Sequence, residues 1–122
     1  MKEKIIAVVG VNDNAEKFGY KIFFGLKKSG YKVFPVGVRG GEAAGVKIYK
    51  TLTELPQKIE VVITVVPPSL TEKIIDECIL LGVKEIWMQP GSRSGSGAAK
   101  AREAGIKVTE QGCFMIAEGI WQ

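Results

Sequence analysis

Gly10, Asn12, Lys17 and Gly19 follow directly on the apolar run Ile5-Ile6-Ala7-Val8-Val9, and their types and spacing suit one kind of chemistry, the holding of a phosphate. A buried strand ends at Gly10, which permits a tight turn. Backbone N–H groups at the start of the following helix can then point at an anion, with Lys17 adding a positive charge. Asn12 offers a side-chain amide and Gly19 a close backbone approach, and Val11 and Tyr20 complete the stretch. The spacing is not the dinucleotide fingerprint, which needs glycine at the positions taken here by Asn12 and Ala15.

A second segment narrows the nucleotide. An NAD site wants an acidic side chain at the end of the second strand for the ribose diol, whereas this strand ends Phe34-Pro35-Val36-Gly37-Val38-Arg39. Arg39 suits a phosphorylated ribose, which leaves NADP or coenzyme A. No catalytic group assembles beside it. The chain has no histidine, so the commonest general base, the commonest metal ligand and phosphohistidine chemistry are all missing from it. Cys78 and Cys113 are isolated thiols without C-x-x-C spacing, and no metal site is read. Cys78 falls on the core stripe of a helix. Cys113 follows a strand, where thiol exchange is conceivable, but a small buried hydrophobe is the commoner use of a free cysteine. The Gly91-Ser92-Arg93-Ser94-Gly95-Ser96-Gly97 stretch reads as a linker into the next helix.

The elements that must position these residues follow from pattern. Ser29-Gly30-Tyr31, Leu81-Gly82-Val83 and Ala104-Gly105-Ile106 each read as a helix stopped by a left-handed glycine and followed at once by a strand, which argues for successive βα units and a parallel sheet. Strands are expected at Lys4 to Val9, Lys32 to Val36, Val61 to Val66, Glu85 to Met88 and Lys107 to Thr109. Their Val and Ile density calls for burial on both faces. Helices are expected at Tyr20 to Ser29, from Ser69 to Gly82 with a Ser69/Glu72 capping box and a Leu70, Ile74, Cys78, Leu81 stripe, and around Ala98 and Ala101, with a last amphipathic segment at Phe114 to Trp121. Thr51 and Glu54 repeat the capping-box spacing ahead of a short helical turn, and Gly37 to Lys50 is a glycine-rich crossover. The expected architecture is α/β, a doubly wound parallel five-stranded sheet in strand order 3-2-1-4-5, over residues 1–122 as a single domain. Its crevice would lie outside the carboxyl ends of strands one and four. Five segments would line it: Gly10 to Tyr20, Gly37 to Gly41, Val66 to Ser69, Gln89 to Arg93 and Gln111 to Cys113.

Composition sets the class. The 122 residues are 46% hydrophobic and 25% charged, the balance of an ordinary globular domain, and no apolar run approaches a membrane span. Met1-Lys2-Glu3-Lys4 does not read as a signal peptide, so the expected compartment is the cytoplasm. The net charge of +4 comes from scattered basic residues, which argues against nucleic acid and suffices for an anionic small molecule. The exposed sheet edge and the Phe114 to Trp121 segment are a candidate homodimer interface.

Val8-Val9-Gly10-Val11-Asn12 with Lys17 and Gly19, Val33-Phe34-Pro35-Val36, Val66-Pro67-Pro68, Trp87-Met88-Gln89-Pro90-Gly91 and Cys113 occur in an order and spacing that resembles the single-domain CoA-binding proteins, over essentially the full length. These are Rossmann-like proteins similar to the CoA-binding domain of the succinyl-CoA synthetase alpha subunit. The resemblance implies non-catalytic binding of coenzyme A or acyl-CoA, with the phosphates on the Gly10 to Tyr20 loop. Val36, Gly37 and Arg39 would then face the adenosine end. Val66, Pro67 and Pro68 would form an apolar wall, and Gln89, Pro90 and Gly91 would border the pantetheine arm. The alternatives are a nucleotide-binding subunit of an acyl-CoA ligase assembly or an NADP-binding module. The chain departs from the family's usual Ala-Ser with Val11-Asn12, and from its Asn-Pro after strand two with Gly37-Val38.

Overall fold

The computed structural model describes residues 1–122. Strand β1 (Ile5–Val9) leads through helix α1 (Phe18–Lys28) to β2 (Lys32–Val36), and a small antiparallel hairpin, β3 (Glu42–Ala43) and β4 (Val46–Lys47), follows. A 3-10 turn at Leu52–Glu54 precedes β5 (Val61–Thr64). Then come α2 (Pro68–Leu81), β6 (Glu85–Met88), α3 (Gly95–Glu103), β7 (Lys107–Thr109) and the short α4 (Phe114–Ala117). The five longer strands form one parallel sheet in the order β2-β1-β5-β6-β7. Gly30, Gly82 and Gly105 all take positive φ and hand each helix over to the next strand. No helix is long and apolar enough to cross a membrane.

The sheet is parallel and doubly wound as expected, but the strand order differs. With the five main strands counted in chain order it is 2-1-3-4-5, so Val61–Thr64 lies inside the sheet beside β1 and not beyond β2. Burial explains this: Val61, Val62, Ile63 and Thr64 are all fully buried, which an edge strand would not allow. Pro35 explains it from the other side, because proline lacks the N–H a central strand needs and is confined to edges. β2 is that edge, its outer side met only by Tyr49, whose N–H donates to the Pro35 carbonyl. The reversal of strand order therefore falls between β1 and β5, not between strands one and four.

Two apolar layers hold the sheet. On one face α2 and α3 bring Ile74, Ile75, Cys78, Ala98 and Ala101 onto Ala7, Val9, Val62 and Ile86. On the other, α1, α4 and the hairpin bring Ile22, Phe23, Leu26, Ala43, Phe114 and Met115 onto Ile6, Val8, Val61 and Ile63. Tyr31, at the foot of β2, donates its hydroxyl to Glu118 at 2.9 Å and ties the C-terminal segment to the sheet.

Local details depart from the capping pattern. Pro67 is the N-cap of α2 and Pro68 its first residue, so Ser69 sits inside the helix and caps nothing. Glu72 accepts instead from the Ser94 and Ser96 hydroxyls at the start of α3. α2 buries Thr71, Ile74, Ile75 and Cys78, which turns Leu70 outward. The last helix stops at Ala117, and the N–H groups of Ile120 and Trp121 both close onto the Met115 carbonyl.

Gly19 and Gly37 are where backbone meets backbone. A Cβ on Gly19 would lie 2.2 Å from the Gly10 carbonyl oxygen, and one on Gly37 would lie 1.9 Å from that of Val11. Gly19→Ala and Gly37→Ala are each expected to lower unfolding free energy by about 2 kcal/mol or more. Gly95→Ala, with open space around it at the first turn of α3, should raise it by about 0.5 kcal/mol. Urea unfolding followed by tryptophan fluorescence reads all three, and equal midpoints for Gly19→Ala and Gly95→Ala would contradict the packing.

Candidate functional site

A cleft of about 560 Å³ opens at the carboxyl ends of β1 and β2. Its floor is Val9, Gly10, Val11, Val36 and Gly37. One wall is the face of α2 carrying Leu70, Lys73, Ile74 and Glu77, and the other is Lys50, Thr51 and Leu52 on the chain leaving the hairpin. Asn12, Lys17, Val38, Arg39 and Val66 form the rim. The centre of the cleft is apolar, since Val36, Leu52 and Ile74 are buried core residues whose outer surfaces face it.

The floor is fixed by one carbonyl. Val36 O accepts from Gly10 N–H at 2.8 Å and Val11 N–H at 3.0 Å. Those two N–H groups are therefore spent inside the protein. The first turn of α1 differs, because the N–H groups of Phe18, Gly19 and Tyr20 have no partner in the chain. That turn has no side-chain cap and no acidic residue, and Lys17 stands at its N-cap. The loop before it is held by two Asx turns, Asn14 N–H to Asn12 Oδ1 at 2.8 Å and Glu16 N–H to Asn14 Oδ1 at 3.0 Å. The first leaves the Asn12 side-chain N–H₂ without a partner in the chain, at the rim of the cleft.

Charge is arranged to match. Lys17, Arg39, Lys50 and Lys73 line the cleft and none makes an ion pair, although five ion pairs form elsewhere in the chain. Lys50 lies alongside Gly40, next to Arg39 in the chain, so those two cations share one corner. Glu77 is the single carboxylate in the lining. Unpaired cations around an apolar cavity with free helix N–H groups can hold a phosphorylated ligand that has an apolar or aromatic body.

Of the residues expected to form the site, Gly10, Val11, Asn12, Lys17, Val36, Gly37, Arg39 and Val66 come together in this cleft. Gly19, Tyr20, Pro67, Pro68, Gln89, Pro90 and Gly91 do not line it. Gly19 is buried against Gly10, so its lack of a side chain serves the protein's own backbone. Tyr20 packs with the opposite core face and stacks on Phe24. Pro67 and Pro68 are exposed at the start of α2, and Pro90 and Gly91 are exposed in the next loop along the same sheet edge. Gln89 is fully buried, donating to Cys113 Sγ at 3.1 Å and accepting from Phe114 N–H at 2.9 Å. Between these loops lies a buried hydroxyl cluster: Ser92 Oγ is 2.7 Å from Thr64 Oγ1 and 2.8 Å from Thr71 Oγ1.

Both walls lie outside the site expected from the sequence. Leu70, Lys73, Ile74 and Glu77 repeat at i, i+3, i+4 and i+7, one helical face, and that spacing was the available signal. Lys50, Thr51 and Leu52 gave no such signal.

Comparison with known proteins places these features in context. The family model described as CoA binding domain matches residues 4–118. The alpha subunit of ADP-forming acetate–CoA ligase II from Pyrococcus furiosus is 37% identical over 99 residues, covering 80% of this chain and 22% of that one. The chain thus spans about a fifth of that relative. Among solved structures, a hypothetical protein from Pyrococcus horikoshii OT3 superposes with a TM-score of 0.91 at 33% identity, covering 95% of this chain and 82% of the other. The dinucleotide-forming acetyl-coenzyme A synthetase 1 of Ca. Korarchaeum cryptofilum, in its complex with phosphate and ADP, superposes with a TM-score of 0.74 at 26% identity, over 88% of this chain and 25% of that one.

Neither cysteine lines the cleft, and the two differ in environment. Burial, with the Glu77 charge adding to it, pushes the Cys78 thiol up to about 12, so it carries essentially no thiolate at neutral pH. Cys113 is half-buried at the start of α4. A disulfide reagent at pH 8 is expected to label one thiol per folded chain, at Cys113, and the second only on unfolding. The raised Cys78 value also carries a stability term, full below the ordinary thiol range and lost as pH rises from about 9 towards 12. Urea midpoints measured from pH 7 to 10.5 should fall in the alkaline part of that range, and Cys78→Val should reduce the fall.

Proposed function

The chain belongs to the CoA-binding domain family, and from that premise we propose that it binds coenzyme A or an acyl-CoA in the β1–β2 cleft without acting on it chemically. The observation that carries the reading is the set of four unpaired cations around an apolar groove. Coenzyme A presents a diphosphate and a ribose phosphate, about four negative charges near neutral pH, joined to an adenine and a long weakly polar arm. Lys17, the Asn12 amide and the first turn of α1 take the diphosphate. Arg39 and Lys50 take the ribose phosphate at the opposite corner. The adenosine lies between Val36, Leu52 and Ile74, and the arm leaves past Val66 towards the exposed Pro67, Pro90 and Gly91.

The titratable side chains of the cleft are four cations and Glu77, with no thiol and no histidine. A second reading is favoured by the ligase alpha subunits among the relatives: the chain would supply the CoA-binding part of a larger ligase, with the remaining chemistry on a partner chain. Co-purification of a ligase chain from native extract supports that reading, and a lone or self-associated chain counts against it.

Isothermal calorimetry tests the site. Coenzyme A is expected to bind about tenfold more tightly than its dephospho form, and Arg39→Ala should remove that difference. Lys17→Ala should weaken both ligands by a similar factor, and each of these affinities should fall with salt. Equal binding of coenzyme A and dephospho-coenzyme A would remove the role given to Arg39. A preference for NADP would reassign the ligand.

A further inference from the structure

Glu77 is out of place in a cleft built for anions. It lines the same groove as Lys17, Arg39, Lys50 and Lys73, and it is half-buried with no hydrogen bond or ion pair to any of them. A carboxylate there repels the phosphates that the four cations attract, and leaving it partly desolvated without a donor is itself unfavourable. Its position gives the reason. Glu77 stands one helical turn beyond Ile74 on the groove face of α2, across from Thr51 and Leu52, in the part of the groove whose walls are Val36, Leu52 and Ile74. Apolar walls suit an aromatic base, and the one carboxylate at their edge suits a base that presents a donor.

We infer that Glu77 selects the base, its carboxylate accepting from the exocyclic amine of a purine seated between Leu52 and Ile74. The inference rests on the coenzyme A reading and deepens it, since the residue specifies adenine within the nucleotide end of the ligand. Adenine offers an N–H₂ at position 6. A 6-oxo purine offers a carbonyl oxygen at the same place, which meets the carboxylate as acceptor against acceptor. A site that hydrogen-bonds a ligand group rejects the analogue that lacks the group, because its own polar atom is left unpaired. Lys73 offers only donors, and the Thr51 hydroxyl is engaged within its own turn, 3.0 Å from Thr53 Oγ1 and donating to Glu54 Oε1 at 3.4 Å, so Glu77 brings the one carboxylate of the lining to the amine.

The test uses two nucleotides that share every phosphate, adenosine 3′,5′-bisphosphate and inosine 3′,5′-bisphosphate, titrated into the full chain. The wild-type protein is expected to prefer the adenosine form by about tenfold. In Glu77→Gln the side chain keeps its size and offers both an acceptor and a donor, so the preference should fall to within about twofold. The adenosine form should bind Glu77→Gln as tightly as wild type or more tightly, because the repelling charge is gone. An unchanged tenfold preference in Glu77→Gln, or no preference in the wild type, overturns the inference while leaving coenzyme A binding intact. No binding of either nucleotide, or of coenzyme A, overturns the ligand reading itself.

Discussion

The cleft depends on how closely three backbone segments approach at the end of β1. The Val36 carbonyl accepts from the N–H groups of both Gly10 and Val11, and this pair of hydrogen bonds holds the loop after β1 across the end of β2. That approach is possible only because Gly37 presents no Cβ to the Val11 carbonyl and Gly19 presents none to the Gly10 carbonyl. Gly10 itself has φ of +113° and runs against the Val65 carbonyl, so the end of β5 joins the same contact. A side chain at any of these points pushes the loop outward, and with it Asn12, Lys17 and the first turn of α1. The two places where the chain departs from the family pattern, Val11-Asn12 and Gly37-Val38, touch each other here. The contact is between backbones, since a Cβ on Gly37 would meet the Val11 carbonyl and not its side chain.

The protein treats its helix starts in opposite ways. At α3 the Ser94 hydroxyl accepts from Gly97 N–H, and Glu72 brings a carboxylate to the same turn through Ser94 and Ser96. The two serines in turn hold the Glu72 carboxyl below the usual range. α1 has none of this: no cap, no acid in its first turn, and a lysine at the N-cap where a negative or neutral acceptor would stabilise the helix. A cap is worth about 1 kcal/mol, so α1 forgoes stability that α3 takes. The four unpaired cations around the cleft make the same choice in charge. Under the proposed binding of coenzyme A, both costs would be offset when its phosphates arrive.

Much of this was legible in the chain. The βα units could be read from three helix-stopping glycines and from Val- and Ile-rich runs, because those signals are local and act through backbone geometry. The floor and rim of the cleft, Gly10 to Lys17 with Val36 to Arg39, were also legible, since they lie at strand ends that topology alone brings together. Gln89, Pro90, Gly91 and Tyr20 were assigned by position along a shared edge. Two of them are turned from the cleft by side-chain packing that no spacing encodes: Gln89 turns inward to Cys113 and Phe114, and Tyr20 turns to the opposite face. The Ser69 to Glu72 spacing failed for a plainer reason. Pro67 and Pro68 start the helix two residues early, and Glu72 has better donors across the interface in Ser94 and Ser96.

The strand order and the missed wall are one misreading. An order of 3-2-1-4-5 would carry the chain from β2 outward to a new edge strand, and Lys50 to Leu52 would then lie away from β1. With β2 at the edge, the chain must instead pass back over β1 to reach the buried position of β5. It begins that passage at Tyr49, which pairs with the outer side of β2, and continues through Lys50, Thr51 and Leu52, which face α2 across the end of the sheet. The groove is the space between this returning segment and the helix that follows β5. Pro35 held the information, because a residue without an N–H marks an edge strand, and once β2 is an edge the crossover has no other route. The wall that carries Lys50 and Leu52 thus follows from the edge position of β2 that Pro35 marks.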